Sequence, residues 1–170
     1  RTVIYNGVDT DLFYPRETAP DEEYVLFVGD SERKGLSRVR QFARQTDLSV
    51  YAVGDLSDAE IALRTLGRVA PRQLAELYSG AVATVHPAAF EAFGNVVLES
   101  LACGTPVATT SQCGASEILD GSCGVVDVPL ARAVDRCREL DEVDCRRRAA
   151  EYTWAQTAQR TLDELDDIVP

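Results

Sequence analysis

Short apolar runs alternate with amphipathic stretches along the chain. The runs are bounded by turn residues and predict buried strands over Tyr24 to Val28, Leu48 to Val53, Leu66 to Val69, Ala81 to Val85, Pro106 to Thr109 and Gly124 to Val128. The other stretches predict helices over Leu36 to Thr46, Asp58 to Arg64, a segment opened by Pro71, Gly94 to Cys103, Leu130 to Leu140, Asp144 to Tyr152 and Trp154 to Ile168. This alternation predicts an α/β fold: a doubly wound parallel sheet covered by helices on both faces, with its ligand at the carboxyl ends of the strands.

The length and charge of the chain exclude several classes of function. One domain accounts for all 170 residues, since neither a linker nor an internal repeat divides them. The 17 basic and 28 acidic side chains give a net charge of −11, which repels nucleic acid and anionic lipid headgroups. The longest weakly polar stretch, Ala81 to Phe90, is about half the ~20 residues that a membrane span needs. We therefore expect no nucleic-acid partner and no transmembrane segment.

The use of lysine and cysteine indicates the environment of the protein. Lys34 is the only lysine, which together with the acidic excess is typical of a halophilic surface; GC-biased coding of an ordinary acidic protein explains it equally well. The five cysteines are odd in number and contain no C-x-x-C spacing, so we expect reduced thiols in a cytoplasmic protein, without disulfides or a zinc site. The chain opens at Arg1 without a Met, which predicts a piece of a longer protein.

The most informative stretch runs from His86 to Val107, where a strand, a loop and a helix follow one another. The helix begins near Gly94, so the free amides of its first turn point toward the carboxyl edge of the sheet, where they can hold a diphosphate. Glu99 follows about one turn behind the phosphate position, where a carboxylate facing the cleft accepts two vicinal hydroxyls, and Glu91 on the loop is placed for a second polyol. A plainer interpretation stays open, in which Glu91 only interacts with the helix dipole and Glu99 is solvated.

These residues carry a family resemblance. Residues 90–107 read F-E-A-F-G-N-V-V-L-E-S-L-A-C-G-T-P-V, and G-A-S-E-I-L follows at 114–119. The opening V-I-Y-N-G-V-D, the segment V-G-D-S-E-R-K-G-L and a late Trp154 belong to the same pattern. Essentially the whole chain resembles the C-terminal half of family 4 (group 1) glycosyltransferases, which have the GT-B fold. The resemblance implies that residues 1–170 form a Rossmann-like nucleotide-sugar donor-binding domain, and that the N-terminal acceptor-binding domain is absent.

The activity that the resemblance implies is a retaining transfer of a hexosyl group from a UDP- or GDP-sugar to an acceptor hydroxyl. It implies no obligatory metal and no other cofactor. Because catalysis needs the acceptor domain to close over the sugar, we expect the isolated domain to bind donor but to be nearly inactive. Any peripheral membrane attachment of the full-length enzyme is expected to come from its other domain.

The family's functional residues carry over position by position. Glu91 matches the glutamate that contacts the donor sugar, and Lys34 matches the lysine that stabilises the departing diphosphate; we take these two as catalytic. Glu99 matches the glutamate that holds the ribose hydroxyls, and Val69 the region whose backbone meets the base. The other donor-binding candidates lie in the two loops at the phosphates and the sugar: Gly29, Arg33, Phe93, Gly94, Asn95 and Val96.

The chain departs from the family at Asp30, where an arginine commonly pairs with the lysine on the diphosphate. Either Arg33 supplies this second positive charge or the site is weakened. The alternative function is therefore a catalytically impaired nucleotide-sugar binding or regulatory module of the same fold. Ala88 and Ala92 replace small polar or glycine residues around the first glutamate, which leaves the sugar preference open.

Other chemistries fit less well. We interpret His86, the only histidine, as structural, because the family's reactive histidine lies in the other domain. Residues 29–34 read G-D-S-E-R-K and not G-x-G-x-x-G, which excludes an NAD-dependent Rossmann enzyme. A nucleotide-sugar epimerase of GT-B fold needs a catalytic acid or base in this half, and the scarcity of histidine argues against it.

Overall fold

The computed structural model of the protein describes residues 2–18, 20–56, 62–126 and 129–168. Within these ranges the strands are β1 (Tyr24–Val28), β2 (Ser49–Val53), β3 (Arg64–Thr65), β4 (Ala83–His86), β5 (Val107–Thr109) and β6 (Gly124–Val126). The helices are α1 (Leu36–Ala43), α2 (Pro71–Gly80), α3 (Asn95–Ala102), α4 (Leu130–Cys137), α5 (Glu142–Ala150) and α6 (Trp154–Ile168). All strands pair in parallel in one sheet, in the order β3-β2-β1-β4-β5-β6. The predicted α/β fold is confirmed.

Each face of the sheet has its own hydrophobic core, because successive side chains of a strand point to opposite faces. In β1, Val25 and Phe27 pack with the buried side chains of α1 and α4. Tyr24 and Leu26 face the other way and pack with α2, α3 and α5. Burying one such large apolar side chain contributes about 1.5–3 kcal/mol. The helices therefore cover both faces, as the unbroken apolar runs of the central strands require.

The predicted strand over Leu66 to Val69 is wrong. The edge strand β3 lies earlier and has two residues, paired with Tyr51 and Ala52 of β2. It ends there because Gly67 has a φ of +66°, which no strand residue adopts. Residues 58–61 of the predicted helix over Asp58 to Arg64 lie outside the described residues. Its described residues 62–64 are not helical, and Arg64 belongs to β3.

The other predicted elements are present, with bounds shifted by a few residues. The bounds of β1 and α6 agree with the sequence pattern. Helix α1 ends at Ala43, three residues before the predicted end, because the amide of Gln45 bonds the carbonyl of Phe42 in a tighter turn. The predicted last strand extends to Val128, and its residues 127–128 lie outside the described residues.

The strand order places a topological switch at β1 and β4. From β1 the chain first passes through α1 to β2 on one side, and after β3 it returns through α2 to β4 on the other side. Crevices form at the carboxyl ends of strands where the connections diverge in this way. In this chain the carboxyl ends of the two strands at the switch are marked by Gly29, directly after β1, and by His86, the last residue of β4.

The first residues of the chain pack beside the start of α6. The amide of Val8 donates to the carbonyl of Tyr152 at 2.8 Å, and the hydroxyl of Thr157 donates to the carbonyl of Tyr5 at 3.0 Å. Asn6 Nδ2 then reaches α3 and donates to Asn95 Oδ1 at 2.9 Å. The opening turn is thereby held against the end of the sheet that carries the switch.

Two further observations bear on the expected environment. None of the helices in the described ranges is both long and apolar enough to cross a lipid bilayer. All five cysteines are buried free thiols, and burial raises the pKa of Cys103 and of Cys137 to about 12. Such thiols stay protonated at neutral pH and are poor nucleophiles.

Candidate functional site

A cleft of about 370 Å³ opens at the carboxyl ends of β1 and β4. Its lining is formed by Asn6, Lys34, His86, Glu91, Ala92, Phe93, Gly94, Asn95 and Val96. The structure thus brings together most of the predicted site residues, including both predicted catalytic ones. Four predicted residues lie outside the lining: Gly29, Arg33, Val69 and Glu99.

The main chain of Glu91 is fixed by the loop that follows β5. The amide of Glu91 donates to the carbonyl of Gln112 at 3.0 Å, and the amide of Gly114 donates to the carbonyl of Glu91 at 2.9 Å. Gly114 allows this approach, because a Cβ there would stand 2.2 Å from the carbonyl oxygen of Ala92. The G-A-S-E segment therefore acts on the site through the backbone, by positioning Glu91.

The carboxylate of Glu91 lies between a cation and an imidazole. Its Oε2 is 3.3 Å from Arg33 Nη1 and 3.9 Å from His86 Nε2. Arg33 also donates to the carbonyl of Phe90 at 3.2 Å, so its guanidinium is turned toward the glutamate loop. Since half of the Arg33 side chain is exposed, the ion pair contributes at most about 1 kcal/mol to stability. In this structure Arg33 neutralises a carboxylate and does not extend into the cleft.

The positive end of the cleft is formed by Lys34 and the start of α3. Gly94 precedes α3 with a φ of +97° and has no side chain to cap it, so the first-turn amides and the helix dipole face the cleft. Lys34 ends a short 3₁₀ turn after β1, and its aliphatic stem lies against the backbone of Gly29. Within the described residues, Lys34 is the only cationic side chain in the lining and forms no ion pair.

Glu99 lies beside this cleft, on α3, with its carboxylate turned toward α2. Its Oε2 accepts a hydrogen bond of 2.9 Å from the hydroxyl of Tyr78, which is fully buried. Burial raises the pKa of Glu99, while the Tyr78 hydrogen bond and the charge of Lys34 oppose that rise. Burial and the neighbouring carboxylate raise the pKa of Tyr78 well above its usual value, so it stays a hydrogen-bond donor. The ribose role of Glu99 stays a prediction.

The segment predicted to meet the base follows β3. The amide of Gly54, after β2, donates to the carbonyl of Gly67 at 3.0 Å and thereby holds the segment that leads to Val69. Val69 is half-buried and packs against the core on the α2 side of the sheet. Gly29 closes β1, and its amide donates to the carbonyl of Val53 at 2.9 Å. The roles of Val69 and Gly29 in donor binding stay predictions.

Three lining residues were not among the predicted site residues: Asn6, His86 and Ala92. Asn6 reaches the cleft through its hydrogen bond to Asn95, and the only signal was its place in the opening Y-N-G-V segment. His86 was interpreted as structural, although its position between a strand and a proline at the sheet edge is a signal for a cleft residue. It lines the cleft while being 1% exposed.

The arrangement suits an elongated ligand with two chemically different ends. Lys34 and the first-turn amides of α3 can stabilise negative charge, such as that of a diphosphate. Glu91 lies in the same lining, on the loop before α3, and its carboxylate can accept hydrogen bonds from hydroxyl groups. A nucleotide sugar has these two ends joined by one bond.

Comparison with known proteins decides the family. The family described as "Glycosyl transferases group 1" matches residues 11–129, well over half of the chain. The chain belongs to this family.

Curated relatives of this group 1 glycosyltransferase chain differ in what they act on. The D-inositol 3-phosphate glycosyltransferase of Geodermatophilus obscurus is 37% identical over 154 residues, covering 85% of this chain and 32% of the relative. The alpha-maltose-1-phosphate synthase of Mycolicibacterium smegmatis is 28% identical over 213 residues, covering 95% of this chain and 55% of the relative. The chain therefore spans about half or less of the length of these relatives.

Solved structures agree on the fold. Sucrose-phosphate synthase from Thermosynechococcus elongatus superposes with a TM-score of 0.79 at 23% identity, over 97% of this chain and 52% of that one. The Anabaena protein HepE in complex with UDP-glucose superposes with a TM-score of 0.78 at 21% identity, over 98% of this chain and 57% of that one. These likenesses show that the group 1 chain has the Rossmann-like fold of one half of a GT-B glycosyltransferase.

Proposed function

We propose that the chain is the donor-binding half of a retaining glycosyltransferase, which transfers a hexosyl group from a UDP- or GDP-sugar to an acceptor hydroxyl. The observation that carries the proposal is the shared cleft of Lys34, the uncapped start of α3 and Glu91, in a chain of the group 1 family. The UDP-glucose complex of HepE supports a nucleotide-sugar donor.

In this proposal the positive end of the cleft takes the leaving group. Lys34 and the amides next to Gly94 stabilise the charge that develops on the nucleoside diphosphate as its bond to the sugar breaks. Because fixed protein groups take up this charge, we propose a reaction without an obligatory metal. The attacking oxygen comes from the acceptor, so this chain supplies no nucleophile.

The remaining residues orient the donor. Glu91 accepts hydrogen bonds from sugar hydroxyls, and its backbone bonds to Gln112 and Gly114 hold it in place for this. Glu99 holds the ribose hydroxyls, with Tyr78 fixing its carboxylate. The backbone near Val69 meets the base. An N-terminal domain binds the acceptor, and the buried free thiols support a cytoplasmic location.

Calorimetric titration of the folded chain with UDP, GDP, ADP and inorganic phosphate tests the proposal. We expect one nucleoside diphosphate to bind, and Glu99→Ala to weaken it. Glu139→Ala, which removes an exposed carboxylate beyond α4, is the matched control and is expected to leave affinity unchanged. If none of the nucleotides binds to a folded chain, the proposal is wrong.

The two glutamates have separable roles in the proposal. Glu99→Ala is expected to weaken the binding of UDP and of UDP-glucose alike, whereas Glu91→Ala is expected to weaken the binding of the nucleotide sugar only. Equal loss of UDP affinity in both variants contradicts this division.

A second candidate function is a module of the same fold that binds nucleotide sugars without transferring them. The observation that favours it is the pairing of Arg33 with Glu91, which leaves Lys34 as the one cationic side chain that the described residues place in the cleft lining. Assay of the complete protein for sugar transfer and for donor hydrolysis separates the two. Donor binding with neither reaction favours the module.

A further inference from the structure

The imidazole of His86 has no hydrogen-bond partner in the described part of the chain, although it is 1% exposed. Both ring nitrogens are buried and unpaired, whereas the backbone carbonyl of His86 accepts a 2.9 Å hydrogen bond from the hydroxyl of Thr109. Buried polar groups in native proteins nearly always have a partner, because leaving one unpaired is costly. The missing partner of this ring is therefore to be sought in what the cleft binds.

His86 lines the cleft beside the loop that carries Glu91. His86 Nε2 is 3.9 Å from Glu91 Oε2 and would be 3.5 Å from a Cβ built on Gly94. Because residue 94 is glycine, it places no side chain of its own against the ring. His86 thus lines the cleft, and its buried Nε2 lies next to the carboxylate that we assign to the donor sugar.

We propose that His86 Nε2 and Glu91 Oε2 together bind one hydroxyl group of the donor sugar. This inference rests on the proposed function. One oxygen at hydrogen-bond distance from both atoms fits between groups 3.9 Å apart. The sugar hydroxyl donates its proton to the carboxylate and accepts a hydrogen bond from the imidazole N–H, so both protein groups gain a partner.

The charge state of the ring suits a neutral hydroxyl. Burial lowers the pKa of His86 to about 4, helped by the charges of Lys34 and Arg33 and opposed by that of Glu91. At neutral pH the ring is therefore uncharged, with one N–H and one lone pair. The diphosphate is drawn to Lys34 and α3, whereas the His86–Glu91 pair offers it no cation.

The pair makes His86 a specificity-determining residue for the sugar and not for the nucleotide. A site that hydrogen-bonds a hydroxyl discriminates against ligands that lack it, since its buried polar groups are then left unpaired. Loss of the imidazole is expected to weaken the nucleotide sugar about 5- to 30-fold while the nucleoside diphosphate binds as before.

Nuclear magnetic resonance tests the contact directly, because His86 is the only histidine in the sequence. In an untagged chain labelled with ¹⁵N-histidine, the two ring nitrogen signals report on this site alone. We expect UDP-glucose to shift the Nε2 signal and UDP to leave it nearly unchanged; GDP-mannose and GDP form the parallel pair. A shift of equal size with the nucleoside diphosphate alone overturns the inference.

Substitutions provide the second test. His86→Phe keeps an aromatic ring, slightly larger and without a hydrogen bond. His86→Gln restores an N–H near the place of Nε2, and Thr109→Val disturbs the strand without touching the ring. We expect the affinity ratio of UDP-glucose to UDP to fall in His86→Phe, to recover in part in His86→Gln and to stay unchanged in Thr109→Val. An unchanged ratio in His86→Phe overturns the inference.

The two tests separate this inference from the proposed function. If UDP binds and the sugar adds affinity without His86, only the His86 contact is wrong. If no nucleotide binds to the folded wild-type chain, the proposed function fails and this inference fails with it. Should His86→Phe not fold, the labelled wild-type chain still decides.

Discussion

The hydroxyl of Tyr78 donates a hydrogen bond of 2.9 Å to Oε2 of Glu99 and so joins α2 to α3 beside the cleft. Tyr78 is fully buried, and burial raises the pKa of the glutamate that it contacts. A carboxylate fixed in this way keeps its second oxygen for a ligand. The relationship makes Tyr78 a positioning residue for the ribose contact that we propose for Glu99.

Tyr78→Phe is therefore expected to weaken the binding of UDP about 3- to 10-fold, and to lower the free energy of unfolding by about 2 kcal/mol. The contrast between UDP and 2′-deoxy-UDP is the specific readout, since only a ribose contact makes it shrink in the variant. Tyr24→Phe is the matched control, because the hydroxyl of Tyr24 donates to the carbonyl of Leu77 on the same face. If both variants lose UDP affinity equally, Tyr78 has no role beyond packing.

Lys34 is expected to dominate binding of the diphosphate. Lys34→Gln should weaken UDP at least about 10-fold, since a hydrogen bond to a charged group is lost. Arg33→Gln should change UDP affinity by less than about 3-fold, because Arg33 pairs with Glu91 and lies outside the lining. A larger effect of Arg33 than of Lys34 would identify Arg33 as the main phosphate residue. Titration calorimetry measures both.

Chemical modification tests the contact between Lys34 and the diphosphate without a mutation. Lys34 is the only lysine, so the ε-amine signal in an acetylated sample belongs to it alone. We expect UDP to slow the acetylation of Lys34 by acetic anhydride, and not that of the chain's terminal amine, when both are followed by peptide mass spectrometry. Equal rates with and without bound UDP would remove Lys34 from the site.

The stability of the fold is expected to depend on pH through His86. Its pKa falls from 6.5 to about 4 on folding, so between these values the unfolded chain binds the extra proton. The stability that this provides is fully present above pH 6.5 and is lost as the pH falls toward 4, by about 3 kcal/mol. Urea unfolding across this range should show a steeper loss in the wild type than in His86→Phe. Parallel curves would mean that the ring titrates normally.

Salt dependence distinguishes the two explanations of the acidic composition. A net charge of −11 repels itself, and salt screens that repulsion. If the surface is halophilic, the midpoint of thermal unfolding is expected to rise by about 5 °C or more between about 0.1 M and about 2 M KCl. The same series in sodium sulfate shows how much of the rise is a general salt effect. A flat response in KCl favours biased coding.

The sequence was most informative where structure is set locally. The apolar run of β1 and the 15-residue pattern of α6 fixed their bounds, and the strand, loop and glycine around Glu91 placed the cleft. Contacts between residues far apart in the chain could not be predicted from the sequence. Arg33 meets Glu91 and Tyr78 meets Glu99 only because the sheet order brings their loops and helices together.

The edge strand of the sheet could not be predicted from local patterns either. A strand of two residues such as β3 has too few side chains to show an alternation, and it exists only through its pairing with β2. The interpretation of His86 as structural rested on the family's reactive histidine, which lies in the other domain, and not on the surroundings of the ring. The unpaired state of its ring follows from three-dimensional packing.

The attachment of Glu91 through its main chain has a practical consequence for engineering. Because both its amide and its carbonyl are bonded to the loop after β5, side chains next to it can change without releasing it. Ala92 is the exposed neighbour in the cleft lining, so a larger residue there is expected to narrow the space for the proposed sugar while Glu91 stays in place. Under the proposed function, a small library of substitutions at position 92 is therefore expected to alter the donor preference.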